Sequence, residues 1–351
     1  MMKAKIAVGT MVAAVGMLVG SGAMVGARAA DLPKMNGTAY IAGHGGHLAI
    51  VDLSTMKDPV DVDKDRIVIT EAGSEMEGKI AGMDFEKVKS GGGSHGSALM
   101  GSKLVVGLLN GKVVIYDLQS KKKSEAMDVG KKFCDVIVGP DGKLYMEDMG
   151  DGKVYVWDAG TMKTVDAMPV GAAVCGIAWT KNKDKAYVSD MPLGLIHVLD
   201  WKTKKEIGTI KDPAMTFIHQ ITMAPDQEHL WVTAPNEFGV KGPGEPNLGP
   251  RSQKPQIVII DTKTDKVVER IVLPDDVNLH DVEFTPDGKT ALLPARTYAN
   301  DSILAVMDVA TKKLYDKRVS LCYGCHKKEG VEVTMDNKSP LLCGIVVDWK
   351  K

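Results

Sequence analysis

Aromatic side chains make up only 5% of the 351 residues, and cysteine occurs five times. After residue 25 no apolar run approaches the about 18 residues that a membrane span needs, so a chain of many spanning helices is excluded. Charge of neither sign is in excess, with 44 Lys and Arg against 45 Asp and Glu, which argues against a nucleic-acid partner. Hydrolase and kinase readings gain little support: no Gly-x-x-x-x-Gly-Lys-Ser/Thr loop occurs, and neither a Gly-x-Ser-x-Gly nucleophile turn nor a dinucleotide-binding strand–turn–helix is expected. Asp61-Val62-Asp63-Lys64-Asp65 opens like a calcium loop, but Arg66 and Ala72 stand where its glycine and glutamate belong.

What is present begins with an export signal. Lys3 and Lys5 precede an apolar, glycine-rich stretch over residues 6–25, and Ala27-Arg28-Ala29 offers the small residues that a signal peptidase cuts after. Residues 1–29 are therefore expected to be removed, leaving 30–351 as one exported domain. Without Lys3, Lys5 and Arg28 the formal charge moves from −1 to about −4. Five cysteines cannot all pair, so at least one thiol stays outside any simple disulfide set.

Two patterns repeat in step. In the first, an apolar strand ends in Asp and a turn rich in Thr, Ser and Lys, at Asp52, Asp117, Asp158, Asp200, Asp261, Asp308 and Asp348. A carboxylate there can accept from turn backbone, so it ends a strand instead of interrupting one. In the second, His95, Cys134, Cys175, His219, His280 and His326 each stand just before a short apolar strand pattern, the weakest being Val331-Glu332-Val333. Units of some 40 to 47 residues with about four short strands are the blades of a β-propeller. Seven Asp turns predict an all-β, seven-bladed propeller of four-stranded antiparallel blades, its ring closed by pairing of the terminal strands. In such a ring the six His and Cys positions converge on the axis. His95, His219 and His280 are the metal candidates there, with or without the thiols, against the plainer reading of polar groups satisfied by backbone and water.

The step from His219 to His280 is 61 residues against 44 for the step before it, which places an insertion between Trp231 and Ile257. Its Gly/Pro-rich stretch, residues 236–255, forbids regular structure. It reads as a stiff arm that docks on a partner through Phe238, Glu245 and Arg251, with a disordered surface loop as the alternative, and a glycine-rich excursion at residues 71–93 is a weaker candidate for the same role. Cys322-Tyr323-Gly324-Cys325-His326 has the spacing of a c-type haem attachment motif, with Cys322 and Cys325 for the thioether bonds and His326 as axial ligand. A disulfide or unmodified thiols are the alternatives there, and Cys343 could bridge to either cysteine. Were haem c attached, Met335 or a ring histidine would be its natural sixth ligand.

Ala186-Tyr187-Val188-Ser189, Leu230-Trp231-Val232-Thr233 and the Pro-Asp-Gly turns resemble the exported YVTN-repeat propellers, over nearly all of residues 38–351. The arm and chain length together resemble the propeller (β) subunit of hydrazine synthase from anaerobic ammonium-oxidising bacteria, an enzyme that joins nitric oxide and ammonium into hydrazine through hydroxylamine. That resemblance implies a non-catalytic subunit of an oxidoreductase complex with c-type haems in its partner subunits. The arm would then shape a tunnel between their active sites, and the compartment would be the anammoxosome lumen in place of a periplasm. The alternative is a monohaem c-type propeller cytochrome for electron transfer or small-oxyanion reduction.

Overall fold

The computed structural model describes residues 31–43, 46–59, 66–69, 75–76, 79–80, 83–84, 88–89, 93–236, 253–296, 302–321 and 342–350. The expected signal segment, most of the arm and the whole of Cys322 to His326 lie outside the described residues.

The described residues form an all-β, propeller-like ring of six antiparallel sheets, not seven. Four sheets are simple four-stranded meanders or their equivalent. One of them runs from Val174–Trp179 through Lys185–Asp190 and Leu195–Asp200 to Lys205–Lys211. In the second and sixth sheets one edge or both are divided into two short strands. The innermost strands, in blade order, are Leu342–Trp349, Ser94–Met100, Phe133–Val138, Val174–Trp179, Ile221–Met223, and the pair Asn278–Leu279 with Glu283–Phe284.

The missing blade has a definite cause. Asp52, Asp117, Asp158, Asp200, Asp261 and Asp308 each end the third strand of a blade, whereas Asp348 lies near the end of an innermost strand. That strand, Leu342–Trp349, pairs antiparallel with Gly37–Gly43, matching Thr38 to Asp348 and Tyr40 to Val346. The two ends of the described chain therefore share the first blade, and the seventh Asp is a look-alike in a different lane.

The six true Asp turns have one construction. The carboxylate accepts from backbone N–H groups two or three residues on, as from Gly160 and Thr161 onto Asp158, both at 2.9 Å. The residue four places after each Asp has a left-handed backbone: Met56, Lys121, Met162, Lys204, Asp265 and Lys312, with φ between 47° and 58°. Hydrogen bonds in these turns hold the carboxyls of Asp52, Asp117, Asp158, Asp200 and Asp261 below their ordinary pKa; the first cause is the Ser54 hydroxyl for Asp52 and the N–H of Thr161 for Asp158.

Apolar side chains fill the spaces between blades. Six of the clusters each join two consecutive blades, and one of them joins Leu292, Leu304 and Val306 of the sixth blade to Ala39, Ile41 and Val51 of the first. Val, Ile, Leu and Ala dominate, in keeping with the aromatic-poor composition. Each fully buried aliphatic of this kind contributes roughly 1.5–3 kcal/mol.

Candidate functional site

The six innermost strands start at one end of the axis, and there the His and Cys positions come together. His95, Cys134 and Cys175 each fall at a register shift, between Ser94 and Gly96, Phe133 and Asp135, and Val174 and Gly176. A bulge adds an unpaired residue and re-aims its side chain, which is how strands of ordinary alternation turn these three toward the axis. All of the five expected residues in the described chain, His95, Cys134, Cys175, His219 and His280, are buried.

Their contacts run from blade to blade. His95 Nδ1 lies 2.5 Å from the carbonyl oxygen of Cys134, and Cys134 forms a disulfide with Cys175 across a Cα separation of 4.9 Å. Cys175 Sγ is 3.3 Å from His219 Nδ1, which also meets Gln220 Oε1 at 2.5 Å. The His95 and His219 rings stack at 5.4 Å, and His280 tilts onto His219 at 4.2 Å. Ligand atoms of His95, Cys134 and His219 lie within 4.8 Å of one another. Of the three expected metal ligands, His95 and His219 thus converge, while His280 packs as a wall and Cys134 takes its place in the converging group. The Cys134–Cys175 pair was not anticipated from sequence.

In the first blade the axial place belongs to Cys343, which opens Cys343-Gly344-Ile345 as Cys175 opens Cys175-Gly176-Ile177. Cys343 is buried, and a Cβ on Gly344 would sit 3.0 Å from His95 O and 3.1 Å from Gly96 Cα, so the two strand starts touch. His326, expected in this lane, lies outside the described residues, as do Cys325, Cys322, Phe238, Glu245 and Arg251.

One residue further along, the ring changes chemistry. Gly344, Gly96 and Gly176 take this place in the first, second and fourth blades and Asp135, Gln220 and Asp281 in the third, fifth and sixth, and the glycines make room: a Cβ on Gly96 would meet Asp135 and one on Gly176 would meet Gln220. Below this layer the inner strands enclose a channel of about 420 Å³. Ser97, Asp135, Thr222, Asp281 and Glu283 are its polar lining, and Ile177, Ile221, Val282 and Ile345 are among its apolar walls.

The channel acids are held toward their neutral forms. Burial first, then Asp281 and Glu147, pushes the Asp135 carboxyl well above the usual carboxylate range. Burial lifts Asp281 to about 6, against the N–H groups of Ile345 and Val282 that donate to it at 2.9 and 2.7 Å. Half-buried Glu283 is raised to about 7 by burial, despite the Trp349 Nε1–H that donates to it at 3.2 Å. Glu147, paired across strands with Asp135, is fully buried, raised well above its ordinary value by that burial, and neither of its carboxylate oxygens has a hydrogen-bond partner among the described residues. These acids were missed from sequence. Their signal was an acidic residue directly after an axial one, in Cys134-Asp135-Val136 and His280-Asp281-Val282.

Gly92-Gly93-Ser94-His95-Gly96 spells the Gly-x-Ser-x-Gly pattern of hydrolases, against the expectation that the chain holds none. Ser94 is fully buried, its Oγ donates to Gly43 O at 2.8 Å, and it opens a blade strand. A nucleophile elbow needs an exposed hydroxyl on a strand-to-helix turn, so this serine is structural.

No helix among the described residues is long and apolar enough to cross a membrane. No protein-family model matches the chain. No curated protein matches it. Among solved structures, Kuenenia stuttgartiensis hydrazine synthase is similar at 22% identity and a TM-score of 0.52, over 66% of this chain and 66% of that one. It is one of 1583 solved chains that match, and a likeness at this level speaks for the propeller fold alone.

Proposed function

We infer that this chain is an exported, non-catalytic propeller subunit of an oxidoreductase assembly of the hydrazine synthase kind. It docks on haem-bearing partner subunits, and its arm at residues 236–255 shapes a passage between their active sites. Six blades packed on one another through apolar clusters would give that arm a platform.

The observation that carries the docking role lies on the rim. Val165, Ile207 and Val268 are 51%, 58% and 54% exposed, and each is the third residue of the outermost strand in the third, fourth and fifth blades. Each is also the bulged residue of its strand, opposite the register shifts at Val156/Trp157, Val198/Leu199 and Ile259/Ile260. A bulge blunts a sheet edge against strand addition, which leaves these aliphatic side chains to make contact. Three consecutive blades thus present one apolar position at the same point of the repeat, a pattern suited to side-chain docking of a partner subunit.

Native purification of the tagged chain, with an absorption spectrum of what accompanies it, tests this reading. Haem-bearing subunits are expected with the wild type and lost when Val165, Ile207 and Val268 are all changed to Lys, at an unchanged melting temperature. A chain isolated alone, or undiminished partners with the triple variant, would overturn it. The Cys322 to His326 motif supports the second reading, a monohaem cytochrome. A haem-stained band at the mature mass of this chain on a denaturing gel would replace the scaffold reading with that one.

A further inference from the structure

The Cys134–Cys175 bond lies inside a layer that already has the components of a metal site. His95, Cys134 and His219 bring their ligand atoms within 4.8 Å of one another, and all three side chains are buried. A four-coordinate zinc ion with bonds of 2.0–2.3 Å separates its ligands by about 3.5 Å, so side-chain rotations on the order of 1 Å close the set. The rings are held in place as well. His95 Nδ1 faces the Cys134 carbonyl and His219 Nδ1 faces Gln220 Oε1, each at 2.5 Å. Hydrogen bonds of this kind orient the rings of metal-binding histidines.

What withholds the third ligand is the disulfide, because a sulfur in an S–S bond has no thiolate to offer. We propose that reduction of Cys134–Cys175 converts the axial layer into a site for a zinc-class divalent ion, ligated by His95, Cys134 and His219. In that step a small dithiol supplies two electrons and two protons, the S–S bond breaks, and the dithiol leaves as its own disulfide. Cys134 then gives its thiol proton to solvent as the ion binds, and water takes the fourth position. Cys175, 3.3 Å from His219 Nδ1, stays beside the site as a thiol. In the reverse step a small disulfide takes two electrons from Cys134 and Cys175, with one proton from Cys175 and one from solvent, and leaves as its dithiol; the S–S bond re-forms and the ion is expelled. The oxidised and metal-bound layers exclude each other, so occupancy reports the redox state of the surroundings.

The test uses the untagged full chain with Cys322→Ser and Cys325→Ser, so that the second thiol cluster contributes nothing. Zinc is titrated against a chromophoric chelator, in the oxidised protein and after dithiothreitol treatment and anaerobic desalting. One equivalent is expected in the reduced protein and none in the oxidised. Adding Cys175→Ser, which removes the bond and keeps all three ligands, is expected to give one equivalent without reductant. Adding Cys134→Ser is expected to weaken binding at least tenfold, and His280→Ala to leave it within about twofold. Cobalt in place of zinc is expected to show a thiolate-to-metal charge-transfer band that depends on Cys134. Equal uptake by oxidised and reduced protein, undiminished uptake by the Cys134 variant, or no uptake by the reduced protein with its circular dichroism unchanged, would overturn the assignment.

Discussion

Gly96 and Asp135 occupy one space between them: a Cβ on Gly96 would stand 2.1 Å from Asp135 Oδ1 and 2.5 Å from its Cα. The acid of the third blade therefore lies over the bare backbone of the second. Gly96→Ala must push Asp135 and its bulge out of the channel wall. A loss of roughly 1–3 kcal/mol, typical of overpacking, is expected from urea unfolding. Gly208→Ala serves as the control, because nothing lies within 4 Å of a Cβ there.

The raised channel acids set a sign for stability against pH. Asp135, Glu147, Asp281 and Glu283 all hold protons more tightly folded than unfolded, so the folded state binds more protons once pH exceeds the unfolded carboxylate range near about 4. Their contribution is complete below that range. It is lost as pH rises through about 6 for Asp281 and about 7 for Glu283. Scanning fluorimetry from acid to neutral pH is expected to show this part of the melting temperature falling. Asp135→Asn and Glu147→Gln, which replace two acids paired across neighbouring strands, are expected to flatten the slope and to raise stability at neutral pH. A slope unchanged in both variants would contradict the assignment.

Between the fourth and fifth blades, Asp265 gathers two donors. Lys185 Nζ reaches its carboxylate at 2.7 and 2.9 Å, and the Tyr187 hydroxyl donates at 2.6 Å. Asp265→Ala leaves the part-buried lysine with only the Thr262 carbonyl, and a loss of about 1–3 kcal/mol is expected. Adding Tyr187→Phe to that variant is expected to cost less than it does in the wild type. A double-mutant cycle by chemical denaturation reads the difference.

Met162, 48% exposed, holds φ at 56° in the turn after Asp158. Glycine adopts that backbone without the Cβ clash of about 1 kcal/mol. Met162→Gly is therefore expected to be neutral or to stabilise by up to about 1 kcal/mol, whereas Met162→Val, branched at Cβ, is expected to destabilise.

The repeat was legible because each third strand ends in the same turn chemistry, and five axial residues were legible because each stands just before a short apolar strand. Blade number was not. Val346-Val347-Asp348-Trp349 and Val198-Leu199-Asp200-Trp201 read alike as strings, but one is an innermost strand and the other a third strand. Only the pairing with Gly37–Gly43 separates them. Cys343 was hidden for a related reason, since the Cys322 to His326 motif drew the last axial position upstream. The disulfide joins residues 41 apart, and its formation depends on two neighbouring bulges turning toward each other, which composition and spacing do not encode.

Because Leu342–Trp349 lines the axis beside a strand that begins at Gly37, the first blade waits for residues some 300 positions downstream. A ribosome still holding that stretch holds back the first blade as well. Later blades can meander into place one by one, but the first is complete only when the last strand arrives.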